Sequence, residues 1–302
     1  MGPSWLRRVA PWVVAGGVIA LLLVRYSPSA IARAVGDGEA VAVLPWGAMI
    51  AVVTLAIMSV ADWLVFAPSL GARMRLGAVT RGRAATAMLS AIHVGASGVG
   101  YGLWLARRSR AGAGVSIGAV FYQMVSDLAA VLWFALGAAL LGPALIDPAV
   151  RTAVLAIAGA GAPLVTLALA AGARIAPARL RTAASAWERV TVARLAVSLA
   201  LRVASLAVNV AGTWAAARAF GLDLPFWATA VGLPIVYLVS ALPMNIAGLG
   251  ATSATWVALF QPFAAGADIL AFHFVHQLVT TAMLFARGLP FLPSVSRDLA
   301  GD

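Results

Sequence analysis

Between Asp223 and Asp268 the chain runs from Leu224 to Ala267 without one charged residue, and a helix cannot continue unbroken through the middle of it. Pro243 has no backbone donor, and Gly248 and Gly250 favour open backbone. In lipid there is no water to satisfy a freed amide or carbonyl. A broken helix persists there only where protein or a water-filled cavity meets those groups. The stretch Leu242–Trp256 is therefore expected to line a site or to be buried against other helices. Asn245, Thr252, Ser253 and Thr255 flank the glycine turn. A second leg starting near Ala251 would point bare amides and a positive dipole into a cavity, which suits a phosphate head group. The plainer reading of the same residues is helix capping and packing between helices.

The rest of the chain is equally apolar. It is 63% hydrophobic and 10% charged, against about 25% charged for soluble domains. Several uncharged runs exceed the roughly 20 residues that cross a bilayer. No polar stretch is long enough for a soluble domain, so residues 1–302 read as a single membrane domain of all-α, polytopic class. Every basic residue is Arg, and the net charge of +11 suits a surface facing anionic lipid. The arginines are scattered between apolar runs rather than gathered on one face, which argues against nucleic acid. Without cysteine there is no disulfide or thiol chemistry. Arg7-Arg8 and the apolar run Val9–Val24 resemble a signal sequence, but no small-x-small site precedes Arg25, so an uncleaved first span is expected.

The positive-inside rule selects a topology. The remaining runs are Ala40–Leu70, Ala84–Ala106, about Val115–Leu141, Thr152–Ala173, Leu195–Ala217 and Ile269–Ala286. If Ala84–Ala106 crosses, most loop arginines fall outside. If it instead enters from the cytoplasm and turns back at its glycines, only Arg25, Arg33, Arg151 and Arg218 remain outside. The second arrangement is the expected one. Leu224–Ala267 leaves and returns on the same side either way, as two short spans or as a hairpin, and the interruptions at Pro234, Pro243 and Pro262 favour the hairpin. The expected architecture is about six transmembrane helices plus two re-entrant hairpins. Repeat one covers about 9–141 with hairpin 84–106, and repeat two about 152–286 with hairpin 224–267. The halves would be inverted copies, an architecture recurrent among transporters. Both termini would be cytoplasmic, in a bacterial inner (plasma) membrane.

Polar residues inside the spans are the candidate site. Asp62 and Arg202 are costly alone in lipid, by about 2.5–3.5 kcal/mol on insertion scales, so they are expected to pair, or Arg202 meets a lipid phosphate. The alternative is snorkelling of Arg202 to the interface. Asp127, with Gln123 nearby, is either a proton-coupling carboxylate or a structural hydrogen-bond partner for the Gly-rich hairpin. His93, His273, His276 and Gln277 read as hydrogen-bond partners of the hairpins, or as gating groups. His273 and His276 alone do not make a zinc site, and no cofactor is expected. Arg174–Arg194 with Trp187 reads as an interfacial helix.

Leu242-Pro243 followed by Gly248-Leu249-Gly250, the Gly/Ser-rich third run ahead of Arg107-Arg108, and the span carrying Asp127 together resemble the transmembrane region of the lysylphosphatidylglycerol synthase family, the flippase-like membrane proteins. Ala247 stands where such members often have the first Gly of the turn, and Thr252, Ser253 or Thr255 where they have a carboxylate. Asp62-Trp63 lies near their Arg-Trp pair. Some members carry a C-terminal aminoacyltransferase domain, which is not expected here. The resemblance implies translocation of a phospholipid or polyprenyl-linked anionic lipid, not aminoacyl transfer. Substrate contacts would come from Asn245, Gly248, Gly250, Thr252, Ser253, Arg202 and His93. Asp62, Gln123, Asp127, His273, His276 and Gln277 would form the polar cavity. Two other readings stand beside it. One is a membrane-embedded enzyme acting on lipid phosphates, though no Ser/His/Asp or paired-carboxylate grouping is evident. The other is a non-catalytic scaffold for a separate synthase. Partners would be membrane lipids, with a homo-oligomer or a partner synthase as further options.

Overall fold

The computed structural model describes residues 20–22, 24–25, 27–71, 74–91, 94–109, 111–142, 147–175, 181–242, 245–246 and 249–300. Among these, five helical stretches are long and apolar enough to cross a membrane: Ala40–Leu70, Ala113–Leu141, Pro148–Ala171, Val192–Ala219 and Gly266–Leu299. The expected first span, Val9–Val24, lies almost wholly outside the described residues.

Chain order begins with α1 (Pro28–Asp37), whose N-terminus is capped by the Ser27 hydroxyl accepting from Ala30 N. Then come α2 (Leu44–Leu70), two short helices α3 (Leu76–Ala87) and α4 (Val94–Ser109), and α5 (Ala113–Leu141). The second half has α6 (Pro148–Ala171), capped by Asp147, the short α7 (Arg181–Glu188), and α8 (Val192–Ala219), capped by Thr191. After these come α9 (Phe226–Ser240), the strands β1 (Asn245–Ile246) and β2 (Leu249–Gly250), and α10 (Ala251–Phe260). The chain finishes with α11 (Gly266–Gly288) and α12 (Leu292–Ala300).

Two places in this order are broken. α3 and α4 have 12 and 16 residues, and α9 and α10 have 15 and 10. At 1.5 Å per residue none reaches the roughly 30 Å of a hydrocarbon core. The first break is a 3-10 turn, Met88–Ala91, and the second is the antiparallel pair Asn245↔Gly250, Ile246↔Leu249. Gly250, at φ 97°, takes a backbone conformation that other residues resist.

The first broken segment differs from the expected hairpin 84–106. Its leading leg starts at Leu76, so Arg81 and Arg83 belong to a helix rather than a loop. α3 lies very close to α4: a Cβ on Gly82 would meet the Trp104 ring at 2.3 Å. Charge normally ends an apolar run, but Arg83 is tolerated inside the fold because Asp62 of α2 neutralises it. The last span also runs past its expected end at Ala286. α12 returns along the first broken segment, where Asp298 accepts from Trp104 Nε1 and from Arg108 Nη1, each at 3.0 Å. α7 is docked rather than lying free at an interface, with Trp187 donating to the Gly118 carbonyl at 2.8 Å.

Apolar packing divides into two cores. One gathers Phe66, Tyr101, Trp104, Leu105 and Tyr122 around the first broken segment. The other gathers Phe220, Leu233, Trp256, Phe260 and Phe272 around the second. On α8, Leu199 belongs to the first core and Val210 to the second, and Arg202 lies between them.

Candidate functional site

Four charged side chains from four helices meet at that seam. Asp62 of α2 is fully buried and Arg202 of α8 is 2% exposed. Arg202 Nη2 donates to Asp62 Oδ1 at 2.5 Å, and its Nη1 donates to Asp127 Oδ1 of α5. The other Asp62 oxygen accepts from Arg83 Nη1 of α3. The order is Arg83–Asp62–Arg202–Asp127, two cations alternating with two carboxylates. Arg202 Nε reaches Ser198 Oγ at 3.4 Å, and that hydroxyl donates to the Ala61 carbonyl at 3.2 Å. Such a chain holds together because breaking one link strands a charge where solvent cannot reach it.

Asp127 is the most open member, with 37% of its side chain exposed against 19% for Arg83. It borders two cavities. The larger, about 190 Å³, lies at the first helix break and is lined by Arg83, Thr86, Ser90, Ser97, Tyr101, Gln123, Asp127 and Arg287 among others. The smaller, about 140 Å³, is bordered by Met58, Val131, Arg202, Ser205 and Asn209. Apart from Arg202 itself, each of these lies about one to two turns along its helix from the charge chain. Arg287 comes from α11 and donates to the Ala51 carbonyl at 2.6 Å. Ala51 is 11 residues into the span Ala40–Leu70, about 16 Å along it. Arg287 therefore sits deep in the helical body, not in a cytoplasmic loop.

At the second break, Asn245 is 4% exposed and joins two helix ends. Its Oδ1 accepts from Thr252 N at 2.8 Å and from Thr252 Oγ1 at 2.9 Å. Its Nδ2 donates to the Val239 carbonyl at 2.6 Å. One carboxamide thus satisfies one amide in the first turn of α10 and one carbonyl in the last turn of α9. Asn245 and Thr252 make the capping contacts expected of them. Ser253 is buried beside them.

A family model for the lysylphosphatidylglycerol synthase TM region matches residues 9–288. The chain belongs to this family. It is a multi-pass membrane protein related to lipid modification. No curated protein matches it.

The expected pairing of Asp62 with Arg202 is present, extended by Arg83 and Asp127. Snorkelling is not how Arg202 is accommodated, because its guanidinium is consumed by two carboxylates inside the fold. Gln123 and Asp127 face the first break as expected. His276, expected beside Asp127 and Arg202, lies elsewhere along the bundle. His276 Nε2 lies 3.4 Å from Thr213 Oγ1, and Thr213 is 11 residues, about 16 Å, along α8 from Arg202. His273 packs its ring on Trp256 of α10, with centroids 5.6 Å apart, and Gln277 is half-buried on the same helix. His93 and Gly248 lie outside the described residues, and Gly250 serves the turn. Among the described residues no three of His, Cys, Asp and Glu gather around one point. Arg83, Arg287 and Tyr101 were missed as site residues. Both arginines lie at the ends of apolar runs, where a charge reads as a topological flank, and Tyr101 lies in a run that reads as glycine-rich packing.

Proposed function

We propose that the protein is a translocase that moves an anionic lipid, a phospholipid or a polyprenyl-linked one, between leaflets. The observation that carries this is the chain Arg83–Asp62–Arg202–Asp127, which links four helices inside the apolar body and opens at Asp127 into cavities on two sides. Ionisable groups inside a membrane protein mark substrate or ion pathways more often than they mark stability. A lock serving stability alone would be sealed at both ends.

In this reading α3–α4 and α9–α10 are re-entrant hairpins entered from opposite faces, and the two halves of the chain are inverted copies that rock around the charged seam. Moving Arg83 and Arg287 out of the loop set leaves the arginine bias pointing the same way, with both termini on the cytoplasmic side of a bacterial plasma membrane. The chain performs no catalysis of its own. The direct test is purified protein in liposomes with head-labelled lipids. The expected result is leaflet exchange faster than in protein-free vesicles, with the lipid chemically unchanged and with exchange lost in Arg202→Gln. Exchange at the protein-free rate, or conversion of the lipid to a new product, would overturn the proposal.

A further inference from the structure

Charge and hydrogen bonding both fail to close at the larger cavity. Three arginines, Arg83, Arg202 and Arg287, converge on the region, but only two carboxylates, Asp62 and Asp127. Both carboxylates are engaged by Arg202, and Asp62 also by Arg83. Among the described residues no carboxylate pairs with Arg287. An unmatched cation at this depth is costly, and it shares its cavity with further unsatisfied groups. The Tyr101 hydroxyl, the Gln123 Oε1 and the Arg287 Nε are buried and have no hydrogen-bond partner among the described residues. Tyr101 is 3% exposed and Gln123 9%. All three side chains line the same 190 Å³ space.

We infer that this cavity is a binding site for one singly charged phosphodiester head group, held by Arg287, Tyr101 and Gln123. Arg287 Nε–H and Tyr101 O–H are donors aimed at an anion's oxygens. The Gln123 carboxamide accepts from a head-group hydroxyl, or after a half-turn donates its N–H₂ to a phosphate oxygen. A single negative charge balances the region. A phosphomonoester, at about −1.5 to −2 near pH 7, overshoots it. The volume is on the order of six water molecules, enough for a small head group and too little for acyl chains or an oligosaccharide. The chains have a place to go. Met124 lines the cavity, is 45% exposed, and continues into Phe121 and Val99, which are 54% and 66% exposed on the outer face of α5 and α4. That apolar rim favours a lipid over a free phosphate compound.

This site rests on the lipid-handling reading above, and binding is measured apart from transport. Full-length protein in detergent is stripped of lipid and titrated with phosphatidylglycerol, phosphatidylcholine, phosphatidic acid or soluble glycerophosphoglycerol, with retention read by native mass spectrometry. One phosphatidylglycerol per chain is expected, held about tenfold more tightly than the other three, and weakened about tenfold by Arg287→Gln. The surface variant Arg75→Gln binds as wild type. Tyr101→Phe and Gln123→Leu weaken retention by less. Arg287→Gln is also expected to raise the melting temperature of the stripped protein, because it removes an unmatched, partly buried charge. A lowered one would overturn the site. So would equal retention of phosphatidylcholine, or unchanged retention in Arg287→Gln. Equal binding of glycerophosphoglycerol would overturn the lipid assignment. Arg287-dependent retention without leaflet exchange ends the translocase reading and keeps the site. Exchange and retention both indifferent to Arg287→Gln keep that reading and end the site.

Discussion

With 1% of its side chain exposed, Arg202 has no route to solvent and holds two carboxylates at once. Its removal should therefore cost more than a pair. Arg202→Gln leaves Asp127 unpaired and Asp62 with Arg83 alone, and a loss of about 3–5 kcal/mol is expected. Arg202→Gln combined with Asp127→Asn leaves a balanced Arg83–Asp62 pair. Thermal unfolding in detergent should find the double variant more stable than Arg202→Gln alone. Additive losses would mean that the two residues are not coupled. Asp127 also tests proton coupling. If its carboxylate carries a proton across the cycle, Asp127→Asn flattens the pH dependence of leaflet exchange. Full exchange with an unchanged pH profile removes that role.

Each broken segment is held together by one small device. Gly82 admits the Trp104 ring, so Gly82→Val should push α3 from α4, lower the melting temperature and displace Arg83 from Asp62. Gly77→Val, on the same helix with nothing within 4 Å of an added Cβ, is the matched control. At the other break, Asn245→Ala strips the cap from Thr252 N and the donor from the Val239 carbonyl. A cost of about 1–3 kcal/mol per stranded group is expected. Asn245→Asp keeps the acceptor and loses the donor, so it should fall between Asn245→Ala and the native protein. Equal melting temperatures for all three would show that the carboxamide does not join the two helix ends.

The complete absence of cysteine makes the whole molecule open to single-cysteine mapping without background. Leu76→Cys and Ser109→Cys mark the two ends of the first broken segment. An impermeant thiol reagent should label both from one side of sealed vesicles if the segment turns back, and from opposite sides if it crosses. Asp223→Cys should label from the face opposite Ser185→Cys, because α8 separates them. Inverted halves require all four results together.

Several features were legible in the residues alone. Long uncharged runs have no stable place except in a bilayer, so the class and most of the spans follow from hydropathy. Pro243, Gly248 and Gly250 mark the second break because backbone chemistry forbids a continuous helix there. The pairing of Asp62 with Arg202 follows from the cost of a lone charge in lipid. Tertiary packing decided the rest. Whether Arg83 and Arg287 flank the membrane or enter it depends on what neutralises or surrounds them, and those groups lie 21 and 236 residues away along the chain. Asn245 became a staple between helix ends because the fold brings Val239 and Thr252 within reach of one side chain. The unmatched charge at the first break exists only as a sum over five helices, and no local stretch of sequence contains it.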